Sequence, residues 1–213
     1  LGINVAAIAS LFPDLARQPW PVVIIGNRWQ WDDQCRRLGV ASFFLERIAN
    51  LRSPHTTGTP YFYDCGSIPQ KSATELSERE RGQAAVAALD ALQQIPSTTL
   101  AVLTCPIDKH ACYEAGFKYP GQTEFFENLW NGRATMLLAG KRLRTGLVTN
   151  HVAVGQVAQA ITTQLIVSKG QQMRRGLSQV FGITDPRIAV CALNPHCGER
   201  GAFGDEESRV IAP

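Results

Sequence analysis

Two histidines stand where apolar runs of the sequence end, and each could serve as a ligand or a catalytic base. His196 follows the apolar residues 188–193 and the pair Asn194-Pro195. Proline cannot donate a ladder hydrogen bond, so it ends a strand at this point. The glycines that come next permit backbone angles closed to other residues, which lets the chain turn tightly where a ligand approaches. The pattern predicts a buried strand that delivers an imidazole to its end.

The second histidine repeats this arrangement. Residues 143–148 form another apolar strand pattern, and Thr149-Asn150-His151 leads from it into a helical segment. Open α/β sheets bind ligands beyond the carboxyl ends of their strands, so two such strands could aim both imidazoles at one point. The alternative is that each histidine is an ordinary turn residue after a strand. Cys197, beside His196, could be a ligand or a nucleophile, or simply a structural thiol.

Three further polar residues are candidates for substrate contacts. Lys109 follows the apolar residues 99–105 at the predicted start of a helix, where charge and amide donors together could hold a phosphate or carboxylate. An exposed lysine on a first helical turn is the equally good alternative. Gln122 and Thr123 follow the turn signal Pro120-Gly121. Thr123 could cap a helix, and both side chains could hydrogen-bond a polar substrate.

The composition is that of a globular protein, because 45% of its 213 residues are hydrophobic and 18% are charged. The net charge is only +3, and the basic residues are scattered, so we expect no nucleic-acid partner. No apolar run reaches the roughly 18 residues of a membrane span, and no signal peptide opens the sequence. We therefore expect a soluble, cytoplasmic protein without membrane contacts. The 6 cysteines show no C-x-x-C pair, and we expect most of them to be buried thiols.

The elements that must position these residues alternate between strand and helix, which predicts an α/β fold with a mainly parallel sheet. A capping box at Ser77 and Glu80 predicts a helix that continues to about residue 94. Residues 50–70 are rich in proline and glycine and predict mostly a surface connection. The other predicted helices are 5–16, 29–38, 154–167 and 169–181, and the predicted strands are 21–26, 41–45, 61–63, 99–105, an antiparallel hairpin of 134–139 with 143–148, and 188–193.

Three motifs, taken together, resemble one enzyme family. They are Asn194-Pro-His-Cys-Gly-Glu-Arg-Gly-Ala-Phe-Gly-Asp-Glu-Glu207, Gly121-Gln-Thr-Glu-Phe-Phe126 and Thr149-Asn-His151. The sequence from about Leu11 to its end is similar to the 4-hydroxythreonine-4-phosphate dehydrogenases of vitamin B6 synthesis. The Asn-Pro-His-x-Gly-Glu element is the most specific part of this resemblance.

The resemblance implies an isocitrate/isopropylmalate dehydrogenase-like architecture, in which two α/β lobes flank a cleft. The first lobe would comprise residues 1–105, and residues 106–213 would form the second lobe, which carries the metal site. The family members are homodimers that oxidise 4-phosphooxy-L-threonine, a small phosphorylated amino acid, with NAD or NADP and a divalent metal. The oxidised product then loses carbon dioxide to give 3-amino-2-oxopropyl phosphate, a step of pyridoxal phosphate biosynthesis.

The family's functional residues match positions of this sequence one by one. His151 and His196 match two of three metal-binding histidines, and imidazole ligands suit zinc or cobalt, with magnesium as a further candidate. Such an ion would lower the pKa of the substrate alcohol and favour hydride departure. Thr123 matches a substrate-contacting threonine, and Gln122 stands where the family usually has histidine. Lys109 matches a lysine expected to approach the anionic substrate, and it is the candidate catalytic residue.

Departures from the family pattern limit these expectations. The third metal histidine, further substrate residues and much of the nucleotide site are expected beyond Pro213, so no cofactor-binding residue is assigned. We expect the full-length protein to be a dehydrogenase and the 213-residue chain alone to have little or no turnover. Gln122 leaves open a related dehydrogenase of another hydroxy acid or of a dihydrodiol carboxylate. A non-catalytic metal-binding homologue is the other alternative.

Overall fold

The chain forms two compact units, Leu1–Phe125 and Phe126–Pro213, called the first and the second unit below. The computed structural model describes residues 7–8, 10–11, 14–15, 17–40, 45–52, 56–58, 60–66, 68–95 and 101–213. The division into lobes 1–105 and 106–213 stays a prediction. None of the described helices is long and apolar enough to cross a membrane.

A three-stranded parallel sheet lies at the centre of the first unit. Its strands are β1 (Val23–Gly26), β2 (Glu46–Ile48) and β3 (Tyr61–Asp64), in the order β1-β3-β2. The central strand is β3, and its Phe62 is only 1% exposed. The parallel sheet within an α/β fold confirms the sequence prediction. The predicted strand 61–63 is likewise confirmed as part of β3, which β1 and β2 flank on its two sides.

Helix α1 (Arg28–Leu38) covers this sheet. It begins where the Asn27 side chain accepts a hydrogen bond from the Gln30 amide, and it ends at Gly39 in the left-handed region. Trp31 packs on Phe62 of β3, with ring centroids 5.9 Å apart. The buried core around this pair consists of Ile24, Trp31, Cys35, Leu45 and Phe62. The predicted helix 29–38 is thus confirmed, together with its glycine stop.

Helix α2 (Glu78–Ala91) begins at the predicted capping box and continues as a 3₁₀ turn, Leu92–Gln94. It crosses the short helix α3 (Lys109–Glu114) at Gly82. A Cβ atom at Gly82 would lie 1.8 Å from the Ala111 carbonyl oxygen, so only glycine fits this crossing. Helix α4 (Gln122–Leu129) follows, and Phe125 on it is buried.

The second unit consists of a hairpin and helices. Strands β4 (Leu137–Ala139) and β5 (Arg144–Gly146) pair antiparallel, as predicted. After a 3₁₀ turn (Val154–Gln156) come the short helix α5 (Val157–Ala160) and the long helix α6 (Thr163–Phe181). The predicted break between residues 167 and 169 was wrong, because Thr162 caps α6 and the helix then runs unbroken to Gly182.

Two predicted strands are not strands in the structure. Residues 101–105 and 188–193 have no regular secondary structure, and Leu103 and Val190 are 89% and 53% exposed. An apolar run becomes a buried strand only where a neighbour completes its ladder, and neither run pairs with a described strand. Residues 99–100 and 41–44 lie outside the described residues, whereas 7–8, 10–11 and 14–15 of the predicted helix 5–16 are helical.

Candidate active site

His196 lies in a left-handed turn formed by residues 196–200. All 5 have positive φ, and the values are 52° at His196, 53° at Cys197, 82° at Gly198, 43° at Glu199 and 54° at Arg200. Residues other than glycine lose about 1–2 kcal/mol each in this conformation. Backbone strain of this kind persists only where the surrounding structure enforces it, and it clusters at functional sites. The turn therefore marks the Asn-Pro-His motif as a candidate site by its geometry as well as its residues.

The Glu207 carboxylate connects the residues before the left-handed turn, 193–194, to the residues after it. Its Oε1 accepts hydrogen bonds from the backbone amides of Leu193 (2.8 Å) and Asn194 (2.6 Å). Its Oε2 accepts a bond of 3.0 Å from Asn194 Nδ2, which also donates to Glu206 at 2.7 Å. The backbone and side-chain donors of Asn194 hold the pKa of Glu207 below its ordinary value. Glu207 was not among the predicted site residues, although the three acids that follow the glycine-rich stretch were a visible signal in the sequence.

Glycines keep the segment closed. Gly198 is buried at φ 82°, and a Cβ atom there would lie 2.5 Å from the Gly204 carbonyl oxygen and 2.9 Å from Glu207 Oε2. Gly204 has a φ of 140°, and its Cβ would approach Asn194 Nδ2 to 2.6 Å. Since larger residues would displace the Asn194 and Glu207 side chains, both glycines are structural requirements of the turn.

His151 also lies at an exposed turn of the second unit, with a φ of 54°. Beside it, the buried Oδ1 atom of Asn150 accepts no hydrogen bond from the described residues. The described residues contain no group of three or more His, Cys, Asp or Glu side chains arranged to hold a metal ion. That His151 and His196 bind the same ion stays a prediction, and both side chains lie at turns where a ligand can reach them.

Lys109 and Gln122 both belong to the first unit, and Lys109 approaches the residue before Gln122. Lys109 is exposed at the start of α3, and its Nζ would lie 4.0 Å from a Cβ atom placed on Gly121, the residue before α4. Gln122 Nε2 donates to the Cys105 carbonyl at 3.1 Å, while its buried Oε1 has no hydrogen-bond donor among the described residues. Thr123 is half-buried inside α4, so the prediction that it caps this helix was wrong.

The cysteines are all unpaired with one another. Cys35 and Cys112 are buried, Cys65 and Cys105 are half-buried, and Cys191 and Cys197 are exposed, so the prediction that most of the cysteines are buried was wrong. Burial raises the pKa of the Cys65 thiol to about 11. It also raises the pKa of Cys35, Cys105 and Cys112, so these four thiols stay protonated at neutral pH and are poor nucleophiles.

Comparison with known proteins decides the family. Residues 18–213 match the family model described as "Pyridoxal phosphate biosynthetic protein PdxA". The chain belongs to the PdxA family. It is 34% identical over 215 residues to a 4-hydroxythreonine-4-phosphate dehydrogenase of Ectopseudomonas mendocina, covering 96% of this chain and 64% of that protein. A Caulobacter vibrioides enzyme of the same name is 44% identical over 119 residues, which are 53% of this chain and 36% of the relative.

Solved PdxA-family structures share the α/β fold. A 4-hydroxythreonine-4-phosphate dehydrogenase from Burkholderia phymatum superposes with a TM-score of 0.75 at 27% identity, covering 100% of this chain and 64% of that one. The Klebsiella pneumoniae enzyme gives 0.71 at 28% identity, with 98% and 64% covered. The chain thus spans 64% of the length of these PdxA structures.

Proposed function

We propose that the protein carrying this chain is an NAD- or NADP-dependent 4-hydroxythreonine-4-phosphate dehydrogenase, an oxidoreductase of pyridoxal phosphate biosynthesis. It oxidises the hydroxyl of 4-phosphooxy-L-threonine, and the product loses carbon dioxide to give 3-amino-2-oxopropyl phosphate. The match of residues 18–213 to the PdxA family carries this proposal. The left-handed turn around His196, within the motif on which the resemblance depends, supports it.

The proposed architecture is that of the isocitrate/isopropylmalate dehydrogenases, with two α/β lobes around a cleft, and the proposed assembly is a homodimer in the cytoplasm. Its metal site would include a further ligand besides His151 and His196. Likeness to solved PdxA-family structures supports the α/β architecture. Apolar side chains on the hairpin support association, since Leu138 and Leu143 are 59% and 73% exposed.

A divalent ion, zinc, cobalt or magnesium, fits the donor groups of the second unit. His151 and His196 would hold it, since both imidazoles lie at exposed turns, and the buried Asn150 Oδ1 beside His151 accepts no hydrogen bond from the described residues. When bound, the ion supplies Lewis-acid polarisation of the substrate hydroxyl and stabilises negative charge during decarboxylation. The contribution of the chain is to hold both imidazoles at fixed turns before the substrate arrives.

Lys109, Gln122 and Thr123 are the proposed substrate contacts of the first unit. The Lys109 ammonium attracts an anionic group of the substrate, and the exposed position of its side chain leaves it accessible. Gln122 presents an amide oxygen that accepts a hydrogen bond from an ammonium or hydroxyl group. The hydroxyl of Thr123, one residue further along α4, can both donate and accept.

The test is a nicotinamide reduction assay on the full polypeptide that carries this chain. We expect 4-phosphooxy-L-threonine to reduce NAD or NADP in the presence of a divalent ion, and a chelator to abolish the reaction. Lys109→Met, which keeps the length of the side chain without its charge, should raise KM. The exposed Lys141→Met, at the tip of the hairpin, is the matched control. Preference for a phosphate-free analogue, or binding of metal without reduction of either nicotinamide, would contradict the proposal.

A further inference from the structure

We propose that Glu207, acting through Asn194, is a positioning residue that holds the left-handed turn of residues 196–200 and thereby fixes the direction of the His196 imidazole. The clamp consists of the hydrogen bonds that the Glu207 carboxylate accepts from Leu193 and Asn194. The part of this inference that concerns metal binding rests on the proposed function. The part that concerns the turn rests on the contacts alone.

The clamp joins the chain before the turn to the chain after it. Asn194 and His196 are separated only by Pro195, whose ring fixes its own φ, so holding Asn194 restricts the backbone that leads into His196. On the far side, Glu207 begins a short helical turn, Glu207–Ile211, in which Val210 is buried. The backbone carbonyl of Val210 accepts a 2.7 Å hydrogen bond from the Thr163 hydroxyl of α6. Glu207 therefore ties a strained segment to a long helix.

Both carboxylate oxygens of Glu207 already accept hydrogen bonds from Leu193 and Asn194. Oε1 accepts hydrogen bonds from the backbone amides of Leu193 and Asn194, and Oε2 accepts one from the side-chain amide of Asn194. Both carboxylate oxygens therefore have a donor. The carboxylate also lies next to Gly198, where a Cβ atom would approach Oε2 to 2.9 Å. Because both oxygens already have hydrogen-bond donors, the role that the contacts assign to Glu207 is to position His196 and not to bind a ligand directly.

The turn contains two internal amides that report its integrity. The Ala202 amide donates to the Glu199 carbonyl and the Phe203 amide donates to the Gly198 carbonyl, both at 3.2 Å. Hydrogen exchange at these amides becomes faster when the turn opens, and it does so whether or not a metal is bound. A chain with an intact turn therefore retains slow exchange here.

The experiment compares Glu207→Ala, Glu207→Gln and the control Asp205→Asn, an exposed acid of the same segment whose side chain pairs only with Arg209 among the described residues. Hydrogen exchange at Ala202 and Phe203 and the affinity for Co²⁺ alone are measured on the full polypeptide. We expect Glu207→Ala to speed exchange and to weaken Co²⁺ binding by about ten- to a hundredfold. Glu207→Gln keeps one carbonyl acceptor for the two backbone amides and should have an intermediate effect, and Asp205→Asn should change neither quantity.

The outcomes separate this inference from the proposed function. Unchanged exchange in Glu207→Ala, or in Glu207→Gln if the alanine variant does not fold, would overturn the clamp. Faster exchange with unchanged Co²⁺ affinity would overturn the positioning of His196. Faster exchange in a protein that binds no Co²⁺ even as wild type would support the clamp and count against the metal role in the proposed function.

Discussion

Gln122 presents a hydrogen-bond acceptor to a ligand, and so favours ligands that carry an N–H or O–H donor. Its Nε2 donates to the Cys105 carbonyl, which fixes the orientation of the amide and leaves Oε1 as the acceptor. A buried acceptor without a donor costs about 1–3 kcal/mol, and a ligand that supplies an N–H or O–H group recovers that free energy. In the family resemblance a histidine usually stands here, and its ring can offer a donor as well as an acceptor.

We therefore expect Gln122→Leu to raise KM for the amino-acid substrate by about three- to tenfold while kcat stays nearly constant, because the lost hydrogen bond exists before and during the reaction. Steady-state kinetics on the full polypeptide measure this change. Gln164→Leu, at an exposed position of α6, is the matched control. An unchanged KM would exclude a substrate contact at Gln122.

Glu80 contributes to stability in a defined pH range. Its carboxylate accepts hydrogen bonds from Lys71 Nζ at 2.8 Å and from the Ser77 amide at 2.8 Å, and these donors lower its pKa from 4.5 to about 2. Because the folded pKa lies below the unfolded one, the stabilisation is complete above about pH 4.5 and is lost as the pH falls towards 2.

Glu80→Gln should accordingly lower the free energy of unfolding at neutral pH, and the difference from wild type should shrink as the pH falls below 4.5. Urea unfolding at a series of pH values, followed by circular dichroism, measures it. Asp90→Asn, exposed at the other end of α2, is the matched control. A difference that stays constant with pH would show that the carboxylate's charge is not what stabilises the helix start.

At the scale of elements, the sequence predicted helices better than strands, because helix signals are local. The capping box at Ser77 and the glycines at positions 39 and 182 act within one or two turns of their own helix, and the structure contains all of them. A strand depends on partners far along the chain. Leu103 and Val190 lie in apolar runs typical of strands, yet no described strand pairs with residues 101–105 or with residues 188–193.

The turn at His196 was predictable from the sequence, and its geometry was not. The proline and glycines around His196 indicated a turn, and the structure has one. That the turn is left-handed and closed by Glu207 follows from hydrogen bonds between residues 193–194 and 206–207, and sequence alone does not say which of three neighbouring acids accepts them. The strand predicted to deliver His196 is absent, so the imidazole is placed by the clamp and not by a sheet.

The crossing of α2 and α3 gives an element-scale prediction. Gly82→Ala should destabilise the protein by about 1–3 kcal/mol, because the new methyl group would lie 1.8 Å from the Ala111 carbonyl oxygen. Gly176→Ala in α6 is the matched control, since a Cβ there meets nothing within 4 Å. Alanine should stabilise that helix by about 0.5–1 kcal/mol. Thermal unfolding of both variants measures the contrast, and a Gly82→Ala protein as stable as wild type would contradict the close crossing.

At the scale of the whole molecule, the two units bury very different amounts of apolar side chain. The first unit buries a core around Trp31 and Phe62, with further buried residues on α2. In the second unit, where every residue is described, the buried apolar side chains are Ile161, Leu177 and Val210. Val154 and Val180 there are 91% and 77% exposed. Burial of each large apolar side chain contributes about 1.5–3 kcal/mol, so the second unit of this chain has much less to stabilise it.

The second unit should therefore lose its structure first. In hydrogen exchange at increasing urea, we expect the amides of α6 to lose protection at lower urea than those of α1 and α2. Leu177→Ala removes one of the three buried apolar side chains of the second unit, so it should lower the protection of α6 further and leave that of α1 unchanged. Leu89→Ala should lower the protection of α2 and leave that of α6 unchanged. If all three helices lost protection at one urea concentration in every variant, the chain would unfold as a single cooperative unit, and the difference in burial would not govern its stability.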